Sequence, residues 1–271
     1  MGTAKKRKKP GRLHLIDTIR GLTLVSMILY HACWDAVYMI GANWPWYYSR
    51  GAYIWQQSIC WTFILLSGFC VPLSKHLFRR GLEVFGAGAL IMLVTGIVLP
   101  EDRVVFGVLT LIGSCMLLMI PVQNAAGKAV RSKGKAAAGF LISFVLFALF
   151  KDINAGVIGT GMLHRILPAF PLCTVSVPSG LYRNLLTAYL GFPPAGFYST
   201  DYFSLLPWSF LYLSGYFLHY VLKHTGALRS PVMSAEIRPL SFMGRNSLII
   251  YLLHQPVLYL YVLLYEAALR G

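Results

Sequence analysis

The chain alternates long apolar runs with short polar segments, and the runs have helical rather than strand length. A helix rising about 1.5 Å per residue needs about 20 apolar residues to cross about 30 Å of hydrocarbon. Stretches 21–40, 53–74, 81–99, 104–121, 136–150, 205–222 and 244–268 meet or approach that pattern. They predict an all-α, polytopic membrane protein with about seven transmembrane helices. Residues 1–12 read as a basic tail, and 13–271 as a single transmembrane domain. An aromatic turn, Asn43-Trp44-Pro45-Trp46-Tyr47-Tyr48, suits the membrane–water interface. The segment 151–204 is too polar and too rich in Pro and Gly to span, so it reads as a long outer loop. An eighth span within 155–178 is the alternative, and His164-Arg165 in its middle argues against it. No internal repeat of the transporter kind is visible.

The first span breaks its own pattern with Asp17, Arg20, His31 and Asp35. At about 100° per residue, Arg20 and His31 come within about 20° of each other after three turns. Asp17 lies about 60° to one side, and Asp35 one turn beyond His31. All four share one face. A charge at mid-bilayer costs roughly 2.5–3.5 kcal/mol, so this face is expected against protein, water or a ligand. The last span repeats the feature, with Ser247, Tyr251, His254 and Tyr261 in helical register as a polar-aromatic stripe. His254 lies nine residues, roughly 14 Å, above Arg245, near the depth of roughly 16 Å that His31 has above Arg20. Pro256 frees the Leu252 carbonyl from its helical bond, and such breaks need protein or ligand around them.

Composition agrees with the pattern. Of 271 residues, 57% are hydrophobic and 12% charged, with mean hydropathy +0.63, well to the membrane side of soluble domains. A net charge of +15 raises nucleic acid as a partner, but the basic residues sit in short segments between apolar runs. With the N-terminus inside, seventeen basic residues fall in inner segments and six in outer ones. That asymmetry predicts a cytoplasmic N-terminus, an outer C-terminus and no nucleic-acid role. Lys5-Lys6-Arg7-Lys8-Lys9 is then a topology anchor rather than a nuclear address, and with no small-x-small site after the first run, that span is expected to stay uncleaved. Five widely spaced cysteines with no C-x-x-C pair indicate neither a metal site nor a disulfide framework.

Candidate chemistry lies on the two polar faces. His31 has Asp35 at i+4, the base-plus-orienter arrangement of acyl transfer. The bland alternatives are a histidine bonded to a neighbouring helix and an aspartate capping the outer end. Arg20 is either a snorkelling cation or a guanidinium for a phosphate, with Asp17 holding it. Lys75, Arg79 and Arg80 are phosphate candidates or topology signals. His254, Gln255 and Tyr251 line a site or glue helices together. In the outer loop, His164, Arg165, Tyr182, Arg183, Tyr198, Asp201 and Tyr202 suit a sugar, or belong to a connector that touches no substrate.

The motif Asp17-x-x-Arg20-Gly21, with His31 following, resembles the opening of the transmembrane acyltransferases. It is closest to the heparan-alpha-glucosaminide N-acetyltransferase catalytic-domain family in its short bacterial form. The Arg-to-His spacing is also similar to that of membrane O-acyltransferases that acetylate bacterial cell-surface glycans. The closing Gly244-Arg245-Asn246-Ser247…Tyr251-Leu252-Leu253-His254-Gln255-Pro256 resembles the end of the same family. Phe106-Gly107-Val108-Leu109-x-Leu111-Ile112-Gly113, Asp201-Tyr202-Phe203 and Leu206-Pro207-Trp208 are similar between them, so the likeness runs from 12 to 266. It implies a metal-free acyltransferase of the bacterial inner membrane that uses acetyl-CoA or another acyl-CoA. The implied acceptor is an extracytoplasmic glycan or a lipid-linked sugar in contact with membrane lipids, and a homo-oligomer is open. Under the resemblance, His31, Asp35 and His254 are the catalytic candidates, and Arg20, Asp17, Arg79 and Arg80 the cofactor-binding ones. Gln255, Tyr251, Asp201 and Tyr202 are the substrate-binding candidates. Where relatives often carry histidine, this chain has Thr110, and it lacks the luminal extension of the lysosomal member, so heparan is not implied. The rival classes are a proton-coupled transporter or channel along the same polar stripe, and a non-enzymatic scaffold.

Overall fold

Helices form where the apolar runs lie. The computed structural model describes residues 12–127 and 129–270; the Lys5–Lys9 cluster of the basic tail and Lys128 of the polar loop lie outside them. The long helices α1 (His14–Tyr38), α2 (Arg50–Cys70), α3 (Leu77–Val98), α4 (Val108–Ala126) and α5 (Lys133–Phe150) come first. Short elements follow: β1 (Val157–Gly159), α6 (Gly161–Ile166), β2 (Thr174–Ser176) and α7 (Leu185–Leu190). The chain closes with α8 (Leu205–His224), α9 (Arg238–Arg245) and α10 (Ser247–Arg270). The two strands form an antiparallel pair with Ile158 opposite Val175.

Five segments are long and apolar enough to cross a membrane: Arg50–Leu73, Leu77–Val98, Val108–Ala125, Lys133–Ala155 and Ser247–Tyr265. They correspond to the second, third, fourth, fifth and seventh expected spans. The first and sixth are helical too, as α1 and α8, but are less apolar. Two aspartates and an arginine interrupt α1, while Pro207, Ser209, Ser214, His219 and Lys223 interrupt α8. The fourth span starts later than the pattern suggested, because Phe106 takes φ 55° and Gly107 is extended before the helix begins. The seventh does not run unbroken from 244. Asn246 ends α9, its side-chain amide donating to the Phe242 carbonyl at 2.9 Å, and α10 starts at Ser247. Within 151–204 the helices α6 and α7 have only six residues each, so 155–178 does not supply an eighth span.

The chain divides into two compact units, 12–59 with 222–270, and 60–221. In the first, α1 packs against α9 and α10. Two glycines explain how closely. A Cβ on Gly21 would lie 1.8 Å from the Leu240 carbonyl oxygen, and one on Gly244 would lie 1.9 Å from the Asp17 carbonyl oxygen. The α1 and α9 backbones touch through one glycine from each helix, the device by which helices approach in a membrane without a hydrophobic drive. The Ile237 amide adds a hydrogen bond to Thr18 Oγ1 at 3.3 Å. Ile16, Leu24 and Met27 are buried on the same helix.

The second unit uses the same device. A Cβ on Gly68 of α2 would lie 1.9 Å from the Tyr212 carbonyl oxygen, and one on Gly215 of α8 would lie 2.0 Å from that of Leu65. Ser214 Oγ donates to Ser143 Oγ at 3.0 Å, joining α8 to α5 by a buried pair. Leu90, Leu93 and Ile97 of α3, and Leu141, Ile142 and Val145 of α5, remain exposed, as lipid-facing positions should.

Gly21→Ala should therefore cost about 1–3 kcal/mol or more, since the Leu240 backbone occupies the space of the new methyl. Gly86→Ala, with nothing within 4 Å of its new Cβ, should be neutral or slightly stabilising. Thermal unfolding in detergent checks this, and equal midpoints for the two variants would contradict the packing.

Candidate active site

The polar face of α1 begins at its N-terminal end. Asp17 is buried against α9 and meets two guanidinium groups, with Arg12 Nε at 2.8 Å from Oδ2 and Arg20 Nη1 at 3.8 Å from Oδ1. Asp17 and Arg20 are thus paired across one turn of α1. A second carboxylate stands nearby in sequence to α9. Glu236 lies 3.1 Å from Arg245 Nη1 and 3.4 Å from His14 Nδ1, and Arg245 Nη1 also donates to Ser241 Oγ at 3.0 Å. Hydrogen bonds from Ser241 and Arg245 hold the Glu236 carboxyl below the usual carboxylate range. The sequence reading passed over Arg12, His14, Glu236 and Ser241. The available signal was Glu236, the sole acidic residue among the basic ones of 223–245.

Eleven residues up α1 from Arg20, the His31 ring sits 4.9 Å from that of His254, centroid to centroid, with the planes 59° apart. The two histidines matched in depth along two helices are thus neighbours in space. His254 is buried, and its Nδ1 lies 2.5 Å from the Tyr251 carbonyl oxygen. A carbonyl only accepts, so Nδ1 carries the proton and Nε2 carries the lone pair. That Nε2 is buried with no hydrogen-bond partner among the described residues. The site therefore contains an imidazole of fixed tautomer with an unused proton acceptor. The Tyr251 ring packs 5.2 Å from it.

Asp35 has a partner that its spacing along α1 did not reveal. The Gln255 side-chain amide donates to Asp35 Oδ1 at 3.1 Å, tying α10 to α1 one turn beyond the histidines. Tyr261, expected on the same stripe, is 65% exposed and turns away from the site. Beside His31, the Tyr30 ring continues into an aromatic group with Tyr47 at 5.4 Å and Trp55 at 5.2 Å, and Trp55 Nε1 donates to Ser26 Oγ at 2.7 Å.

The remaining candidates belong to the second unit. Arg79 pairs with Glu83 at 2.8 Å on an exposed face, and Arg80 is exposed as well. Asp201 Oδ2 accepts from the Val108 amide at 3.3 Å, so it serves the N-terminus of α4. Tyr202 donates to the Ala188 carbonyl and accepts from Asn154 Nδ2 at 3.4 Å. Tyr202 thus ties the segment 151–204 together, and Asp201 ties it to α4. Thr110, which stands where relatives often carry histidine, packs in the α3–α4 seam against Gly88. Among the described residues no group of three or more His, Cys, Asp or Glu is placed to hold a metal ion.

The family model for the heparan-alpha-glucosaminide N-acetyltransferase catalytic domain matches residues 12–256, from Arg12 through the site to Pro256. The chain belongs to that family. Neither a curated protein nor a solved structure gives a match. Family membership and the five apolar helices make it a membrane acetyltransferase, and the family implies an acetyl donor. Within the family's matched span lie both histidines, Asp35, Gln255 and the Asp17–Arg20 pair.

Burial pushes the Asp201 carboxyl up from 3.8 to about 6, against the opposing hydrogen bond from Val108. A raised carboxylate pKa means the folded chain holds this proton more tightly than the unfolded one. That stability is fully present below about pH 4 and is lost as pH rises through about 6. Asp201→Asn keeps an acceptor for Val108 and should flatten this part of the profile. Melting curves in detergent from pH 4 to 7.5 check it, and an unchanged slope in the variant would contradict the assignment.

Proposed function

We propose that this chain transfers an acetyl or other short acyl group from cytosolic acyl-CoA to a hydroxyl or amine of an extracytoplasmic glycan or lipid-linked sugar. In this reading it crosses the bacterial inner membrane seven times, with the N-terminus in the cytoplasm. α1 and α8 span despite their polar residues, because Asp17, Asp35, Ser214 and His219 are buried against protein and Lys223 stands at the end of its helix. The positive-inside asymmetry supports the orientation.

The observation that carries the reading is the His31–His254 contact, two imidazoles 4.9 Å apart on two helices. As the acceptor oxygen or nitrogen bonds to the acyl carbon, its proton passes to His31. The carbon–sulfur bond breaks, and the CoA thiolate leaves. The vacant Nε2 of His254 stands to share that proton and return it to the thiolate, so that CoA leaves as the thiol. Gln255 and Asp35 fix the helices on either side of the pair. Arg20, held by Asp17, binds a phosphate of the nucleotide at the inner end, and the extended pantetheine arm covers the roughly 16 Å of helical rise to His31.

Purified chain in lipid nanodiscs, given radiolabelled acetyl-CoA and a panel of amino and hydroxy sugars, tests this. Transfer is expected, with His31→Ala and His254→Ala each losing about 100-fold or more. A fully active His31→Ala variant, or solute uptake into vesicles without thioester cleavage, overturns the reading. Arg20→Ala should raise KM for acetyl-CoA by about tenfold or more, the value of a charge-assisted hydrogen bond, with a smaller change in kcat.

A further inference from the structure

The outer hairpin presents an apolar surface that the packing of the chain leaves uncovered. Ile166, Leu167, Phe170, Leu172 and Val175 are exposed, Val175 by 73%. From 166 to 181 there is no charged residue, and Arg165 and Arg183 stand at either side of that stretch. A soluble loop of this composition would be a liability, since apolar patches on a surface mark interaction sites.

This stretch is nonetheless well built. β1 and β2 pair over three residues, and the Val177 amide donates to the Gly156 carbonyl at 2.8 Å. Thr160 Oγ1 donates to the Pro171 carbonyl at 2.7 Å and accepts from the Cys173 amide at 2.7 Å. His164 Nδ1 donates to the Phe170 carbonyl at 2.8 Å. Many backbone groups are thus satisfied within the hairpin, which removes the main cost of bringing a loop into a region poor in water. The outward edge of a two-stranded pair still carries polar groups that need water, which rules out the hydrocarbon centre.

The position of the hairpin names its partner. The membrane-length segment Lys133–Ala155 ends two residues before β1 begins at Val157, and α5 packs against both β1 and α6. The apolar face is therefore chain-continuous with the end of a span, at the level where headgroups meet acyl chains. We infer that the β1–β2 hairpin and the end of α6 are seated in the membrane interface, with the apolar tip immersed in the headgroup and acyl boundary. Lipid covers these side chains, to a depth of about 5–10 Å as for interfacial amphipathic elements. The flanking arginines then lie at headgroup level. The outer loop is in this way a fixed, lipid-anchored wall.

Cys173 sits in the hairpin and is the exposed one of the five thiols. A nitroxide is attached there after Cys33, Cys60, Cys70 and Cys115 are replaced by Ala, and the protein is placed in phosphatidylcholine nanodiscs. Dissolved oxygen is expected to relax the label more than a water-soluble nickel chelate does. Dominance of the chelate overturns the inference, as does dipolar broadening from a second nitroxide, which would make the surface a contact between two copies. If the depleted chain does not fold, the unaltered chain is treated with a charged, impermeant maleimide in the same nanodiscs. Cys173 should react at least about tenfold more slowly than a Glu101→Cys reference in the loop after α3. Equal rates overturn the inference.

Discussion

The contact on which the rest depends is between two backbones. Gly21 of α1 lies on the Leu240 carbonyl, and Gly244 of α9 lies on the Asp17 carbonyl, with no side chain between. Because α10 begins three residues after Gly244, that crossing fixes where the last helix starts relative to the first. Ten residues up from Gly21, by a rise of about 15 Å, stands His31 on α1, and seven residues into α10, by a rise of about 10 Å from Ser247, stands His254. A bulkier residue at either glycine would separate the helices, and the histidines would no longer share a site.

Within the first unit, polar groups are arranged in reciprocal sets. Asp17 meets Arg12 and Arg20, Glu236 meets Arg245 and His14, and Asp35 meets Gln255. Buried polar groups need partners, and these contacts supply them. His254 Nδ1 is satisfied, while its Nε2, like Gln255 Oε1, is buried with no hydrogen-bond partner among the described residues. In the proposed reaction that Nε2 takes part in proton transfer, which would give its burial a reason.

The sequence was most legible where one helical parameter decides the outcome. Helix rise pointed to His31 and His254 as neighbours in depth, and apolar length marked seven runs, of which five are helices long and apolar enough to cross a membrane. Rotation about the helix axis was harder to read. Spacing permitted Asp35 to reach His31, but only the azimuth of α10 reveals that Gln255 meets it. The same blindness put Tyr261 on the polar stripe. Long-range polar partners were not legible at all. Asp201 accepts from Val108, 93 residues away, a contact that no local spacing shows. The join at Asn246 was also hidden, because the apolar pattern continues across it while the backbone does not.

The most direct measurement is a cryo-electron microscopy map of the protein in nanodiscs with a non-hydrolysable acyl-CoA analogue. The expected density places the nucleotide beside Arg20 and the acyl carbonyl carbon about 3–3.5 Å from an imidazole nitrogen of the His31–His254 pair. A map with the acyl group elsewhere, or with packed apolar side chains filling the space between Arg20 and the two histidines, would contradict the acyl-transfer site.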